Sequence, residues 1–302
     1  MTILRINSKI FYQVSLILSL SLLFYIAHYP EVNAQENVDL NNIIVRVYNG
    51  GADQKNIASE TALYYMFEWM GANTDWINAE DILNGGLENI NLLAMPAISP
   101  YSINSESTSA GGQIYEVRSM IQEFIRGGGA YFGIYGGHYF EWSGYDLFDI
   151  RLTFPNPNVS TSEEIKEISI NTALSTPFLS KYNDTMSMLS WNPGYFKSFG
   201  ETNFITIATY PENDLPAMVC FHSGLGRVFI SSPHPEHEEN NERDGTTFYD
   251  YLDDPETEWE FLRSITKWLV SKNDIIIFWS TTIVFGGFLT ISILYIVLKK
   301  RQ

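Results

Sequence analysis

Apolar and polar positions along the chain alternate between two periods, and the order of those periods predicts the elements. Residues 43–48 form a nearly continuous apolar run interrupted by Arg46, the pattern of a buried strand. Residues 58–69 place apolar side chains at helical spacing and stop at Gly71, which predicts a helix. A short strand over 74–77 and another over 91–95, closed by Pro96, come next. Residues 113–125 carry a well-patterned amphipathic helix ended by Gly127-Gly128-Gly129, and 130–135 return to strand. Strands and helices that alternate in this way imply a parallel sheet with crossover helices.

Beyond that point the period changes. Residues 149–154, 165–170, 185–189, 204–210, 217–222 and 227–231 read as short strands separated by turn residues, so the second half is β-rich. The turn His222-Ser223-Gly224-Leu225-Gly226 marks a hairpin, because its glycines admit the positive φ of a tight connection. Residues 255–271 close the series as a helix with Pro and acids in its first turn and Lys267 near its end.

The chain ends have a different pattern. Arg5 and Lys9 precede an apolar run over 14–27, and Val32-Asn33-Ala34 offers small residues before Gln35, the layout of a secretory signal peptide or, uncleaved, of an N-terminal anchor. Residues 275–298 run for 24 positions without a charge, long enough at 1.5 Å per residue to cross a hydrocarbon core of ~30 Å. Lys299, Lys300 and Arg301 follow and place that end in the cytoplasm. The expected organisation is a signal peptide or anchor over 1–34, an extracytoplasmic domain over 35–274, a transmembrane helix over 275–298 embedded in the lipid bilayer, and a basic cytoplasmic tail over 299–302. This describes a single-pass protein of the cell membrane.

Charge sharpens the picture. The chain carries −17 in all; the first 34 residues contribute +1 and the tail +3, so the segment between them carries −21. A surface of that sign repels polyanions and excludes nucleic acid as a partner. Apolar residues make up 45% and aromatics 15%, ample for a packed core and against disorder. The lone Cys220, inside an apolar stretch, excludes a disulfide framework and reads as a buried core thiol. Asn158-Val159-Ser160 and Asn183-Asp184-Thr185 are glycosylation-type triplets.

Two segments carry the candidate chemistry. In Gly133-Ile134-Tyr135-Gly136-Gly137 a strand runs into a residue flanked by glycines, the layout of a nucleophile elbow in which the central side chain stands exposed above the sheet. In Ser231-Ser232-Pro233-His234-Pro235-Glu236 a strand delivers a His and, two residues on, an acid that can orient its ring. His138, three residues after Tyr135, shares its face if a helix follows the elbow. The acids that follow, among them Glu238, Glu239, Asp244, Asp253 and Asp254, offer carboxylates to a hard cation but lack a calcium-loop spacing; they read as a solvated acidic loop, and neither metal nor cofactor is expected.

Together with Trp191-Asn192-Pro193-Gly194-Tyr195-Phe196 and Gly224-Leu225-Gly226-Arg227-Val228, these segments resemble the class I glutamine amidotransferase-like superfamily, most closely the type found as the N-terminal domain of biotin-protein ligase, over roughly residues 42–271. The resemblance implies a flavodoxin-like, mostly parallel sheet with flanking helices, and a triad in which a Cys at the elbow attacks an amide with a His and a Glu behind it. Tyr135 stands at the Cys position here, and Met95-Pro96-Ala97 replaces the Pro-Gly-Gly whose backbone amide helps form the oxyanion hole. A phenol with an ordinary pKa of about 10 is a weak nucleophile at neutral pH. The expectation is a membrane-anchored amidotransferase-like domain without glutaminase activity that binds a small molecule or a protein through Tyr135, Gly136, His138, His234 and Glu236. The alternative is a hydrolase of altered chemistry using His234 and Glu236.

Overall fold

The computed structural model describes residues 38–50, 53–97, 114–135, 147–171, 182, 184–200, 203–239, 242–254 and 256–271. The N-terminal segment, the apolar run 275–298, the basic tail, Asn183, Gly136 and His138 lie outside the described residues. Among those described, no helix is long and apolar enough to cross a membrane.

Eleven strands and four helices are described, in the order β1 (Ile44–Tyr48), α1 (Gln54–Trp69), β2 (Asn73–Ile77), α2 (Ala79–Leu83), β3 (Leu92–Met95), α3 (Ile114–Arg126), β4 (Ala130–Ile134), β5 (Ile150–Thr153), β6 (Glu164–Ile170), β7 (Thr185–Ser190), β8 (Tyr195–Ser198), β9 (Ile205–Thr209), β10 (Pro216–Ser223), β11 (Gly226–Ser231) and α4 (Trp259–Val270). Nine strands form one sheet in the order β2-β1-β3-β4-β11-β10-β9-β6-β7. The first five are mutually parallel and the remaining pairings antiparallel. The sheet is therefore mixed rather than mostly parallel. The parallel half still follows the flavodoxin-like order 2-1-3-4-5, with β11 as its fifth strand.

Local sequence explains the transitions. Asp53 caps α1 by accepting from the Asn56 amide (2.9 Å), and Asn78 and Asp81 form a reciprocal capping box on α2. The hairpin between β10 and β11 turns at Gly224, whose φ is +62°. Gly226 opens β11 where a Cβ would stand 2.1 Å from the Ile125 carbonyl oxygen, so only glycine lets this strand lie against the end of α3. The last helix begins at Trp259, not at the expected 255. Asp254 accepts from the Glu256 amide and Thr257 from the Trp259 amide, and these local bonds hold the preceding residues in turns.

The core lies on both faces of the parallel strands. Successive side chains of β4 point to opposite sides: Phe132 meets Phe67 of α1 and Phe229 of β11, while Tyr131 meets Phe148. Trp69 of α1 packs on Trp259 of α4, joining these two helices. Every residue of β3 and β4 is buried, as central strands covered on both faces must be. Cys220 is buried on β10, as its apolar neighbours imply.

Candidate functional site

The carboxyl ends of β3, β4 and β11 bring the candidate residues together. Tyr135 follows β4 at once with φ +35°, the left-handed backbone of a strained elbow. Its side chain, though, does not stand free above the sheet: it is 6% exposed. The ring stacks on the His234 imidazole at 5.3 Å between centroids and on Trp191 at 5.9 Å, with Phe154 edge-on at 5.8 Å. The hydroxyl donates to the Asn192 carbonyl (3.2 Å) and accepts from Asn192 Nδ2 (3.1 Å).

The loop that carries Trp191 and Asn192 is pinned to the end of β11. Ser232 Oγ accepts from the Gly194 amide (3.1 Å) and from the Tyr210 hydroxyl (2.9 Å) and donates to the Gly194 carbonyl (3.0 Å). Asn192 has φ +42°, a conformation that Asn tolerates better than most residues. The Lys55 ammonium lies 3.8 Å over the Trp191 ring and pairs with Glu163.

His234 and Glu236 form the expected pair, with Nδ1 and Oε1 3.3 Å apart, and both are buried. The His234 amide donates to the Leu189 carbonyl (2.8 Å), and Trp259 Nε1 donates to the Glu236 carbonyl (3.0 Å), so β7 and α4 hold the segment from two sides. Two further groups reach the same carboxylate oxygen: Ser59 Oγ donates to Oε1 at 2.7 Å, and His237 Nε2 lies 3.6 Å away. Burial alone would raise the Glu236 carboxyl, but His234, His237 and Ser59 outweigh it and hold the group below its ordinary value.

Ser59 also answers the question of the oxyanion hole. Its hydroxyl oxygen accepts from the Ala97 amide (2.9 Å), and Asn56 Nδ2 donates to the Ala97 carbonyl (2.7 Å). The peptide after β3, where the resemblance places an oxyanion donor, is thus clamped by α1 and its N–H is committed to Ser59. His234 Nδ1 faces the acid, so Nε2 is the nitrogen turned toward any reacting group, and among the described residues Nε2 is buried without a hydrogen-bond partner. Cys220 supplies no substitute: it lies on β10, and burial pushes its thiol up to about 12.

The acids after Glu236 are only in part a solvated loop: Asp253 is exposed, but most of those singled out in the sequence are not. Glu238, Glu239, Asp244 and Asp254 are buried, as is Glu258 before α4. Asp244 is held by the amides of Glu238 (3.1 Å to Oδ2) and Thr246 (3.0 Å to Oδ1), and its Oδ2 faces His237 Nδ1 at 3.5 Å. Arg243 pairs with Glu238 and lies 4.3 Å over the Trp259 ring. Burial, with Asp254, Glu238 and Glu236 adding to it, pushes the Glu239 carboxyl up to about 8; burial likewise raises Glu258 well above the ordinary range. Sequence reasoning missed Ser59 and gave no role to His237. The available signal was Asn56, Ser59 and Glu60, polar residues about one turn apart on a helical face continued by Leu63, Met66 and Phe67.

No family model matches the sequence, and no curated protein matches it. Solved structures match in fold. A glutamine amidotransferase from Thermotoga maritima superposes with a TM-score of 0.53 at 12% identity, covering 76% of this chain and 99% of that chain. A ThuA-like protein from Bacteroides uniformis superposes with a TM-score of 0.52 at 12% identity, covering 77% of this chain and 92% of that one. At this identity the likeness is one of fold: an α/β amidotransferase-like domain with a mixed sheet and helices.

Proposed function

We propose that this chain is a membrane-anchored, extracytoplasmic amidotransferase-like domain that does not hydrolyse glutamine and serves in ligand or partner binding at the carboxyl ends of its parallel strands. The observation that carries this reading is Tyr135: it holds the elbow backbone, stacks its ring on His234 and bonds its hydroxyl to Asn192. The commitment of the Ala97 amide to Ser59 supports it independently. Kinship with the N-terminal domain type of biotin-protein ligase rests on the Ser-Pro-His-Pro-Glu ending after the Gly-Arg-Val strand. Anchoring rests on the uncharged run 275–298 and the basic residues after it, and it leaves residues 35–274 outside the cell.

The experiment is hydrolysis of glutamine and of simple amide and ester substrates by the full-length chain, with His234→Ala beside it. The expected result is no turnover from either. Turnover that His234→Ala abolishes would overturn the reading in favour of a hydrolase in which His234 and Glu236 activate water. Protease accessibility of 38–271 in sealed cells tests the orientation.

A further inference from the structure

We infer that His234, Glu236 and His237 form a binding site for one divalent transition-metal ion of the zinc type. The inference rests on the reading above that His234 and Glu236 bind rather than hydrolyse, and it names the ligand that site would take.

The three side chains each offer a ligand atom, and those atoms lie within 4.8 Å of one another. Two of the spacings are 3.3 Å, from His234 Nδ1 to Glu236 Oε1, and 3.6 Å, from His237 Nε2 to the same oxygen. A tetrahedral ion with bonds of about 2.0–2.1 Å sets its ligand atoms roughly 3.4 Å apart, so both spacings match tetrahedral edges. They are long for charge-assisted hydrogen bonds, which run at about 2.7–2.9 Å.

The polar groups around Glu236 gather on Oε1, the oxygen that the ion would share with both imidazoles. Ser59, His234 and His237 all face Oε1, and among the described residues Oε2 is buried with no hydrogen-bond partner. The ligands are 3%, 0% and 2% exposed, so an ion here would be shielded from water and its charge offset by Glu236 and Asp244. Pro233 and Pro235 flank His234 and restrict the backbone that presents all three groups.

The outer layer fits as well. Asp244, fixed by two backbone amides, sets its Oδ2 3.5 Å from His237 Nδ1, the nitrogen turned away from the ligand cluster; this is an electrostatic contact, since Nδ1 has no hydrogen-bond partner among the described residues. A carboxylate behind a ligating imidazole orients the ring and raises its basicity. Two imidazoles among three ligands select zinc, cobalt or iron over magnesium or calcium, which take oxygen.

The test is metal binding by the full-length chain, purified without a polyhistidine tag and stripped with chelator. Titration with Co2+, followed by visible absorption, should give tetrahedral d–d bands that saturate at one ion per chain and are displaced by Zn2+. His237→Gln should weaken binding by roughly 100-fold or more, and Asp244→Asn by about 10–100-fold. The unsubstituted chain decides the matter if a variant fails to fold: absence of saturable Co2+ or Zn2+ binding overturns the site. So does equal binding by a folded His237→Gln. Hydrolysis assayed with and without Zn2+ separates this inference from the reading beneath it. Binding without turnover supports both, metal-dependent turnover keeps the site and overturns the non-hydrolytic reading, and failure to bind leaves that reading to its own assay.

Discussion

Tyr135 joins two independent energetic terms, and three substitutions separate them. Its hydroxyl makes two hydrogen bonds with Asn192, at 3.2 and 3.1 Å. At about 1 kcal/mol net for each, Tyr135→Phe should cost about 1–2 kcal/mol while the ring stays on His234. Tyr135→Ala removes the ring as well, and loss of a buried aromatic costs about 3–5 kcal/mol. The backbone then supplies the sharper test. At φ +35° a residue with a Cβ carries roughly 1–2 kcal/mol of left-handed strain that glycine avoids. Glycine's extra freedom in the unfolded chain takes back about 0.5–1 kcal/mol. Tyr135→Gly should therefore be more stable than Tyr135→Ala by about 0.5–1 kcal/mol, the reverse of the order inside an ordinary strand. Urea unfolding of the full-length chain by tryptophan fluorescence, with unchanged m values, measures all three. An alanine variant more stable than the glycine variant refutes the strained elbow. A phenylalanine variant as stable as the parent refutes the claim that the hydroxyl is engaged.

Two further predictions concern groups that burial perturbs. Burial raises the Glu258 carboxyl above its ordinary 4.5, so between that value and the raised one the folded chain holds more protons than the unfolded chain. Its contribution to stability is complete below about pH 4.5 and is lost as pH rises through the folded value. Glu258→Gln should flatten the stability-versus-pH curve and gain most at pH 8; a curve parallel to the parent's would remove this carboxyl as a cause. Cys220, whose thiol burial pushes up to about 12, should stay unreactive toward a thiol-specific disulfide reagent in the native chain and react fully in denaturant. Fast native labelling would mean the strand opens locally.

Much of the fold was legible in the sequence, because a buried strand and an amphipathic helix each leave a periodic trace. The ten longer or more apolar strands and the three main helices fall where the pattern puts them, within a few residues. Strand β8 was missed: it is four residues long, buries only Phe196 and pairs only with β5, so it has too few inward positions to show a period. Strand direction was not legible from hydropathy, although the tight hairpin between β10 and β11 already required one antiparallel pair. The acidic run after Glu236 misled for a different reason. Charge in a sequence says nothing about what covers it, and here Trp259, Arg243 and the capping amides of Asp244 bury carboxylates that look solvated in one dimension.

The site was legible where a local motif carried it and illegible where the partner came from far along the chain. Glu236 and Ser59 are 177 residues apart, and Ser59 joins the Ala97 amide to that carboxylate in one chain of hydrogen bonds. This connection decides what the crevice can do. In acyl transfer the amide after β3 must be free to meet an oxyanion, and a nucleophile must hand its proton to His234. Here the amide is spent on a hydroxyl that in turn serves Glu236, and the elbow side chain meets the imidazole with its ring. The two departures are separate in sequence, yet they act on the two halves of one buried pair, on Glu236 through Ser59 and on His234 through the Tyr135 ring. Tyr135→Cys would therefore place a thiol at the elbow and still leave the Ala97 amide bonded to Ser59. His234, Glu236 and His237 meanwhile bring two imidazoles and a carboxylate within 4.8 Å of one another, and that convergence is what the proposed ion site rests on.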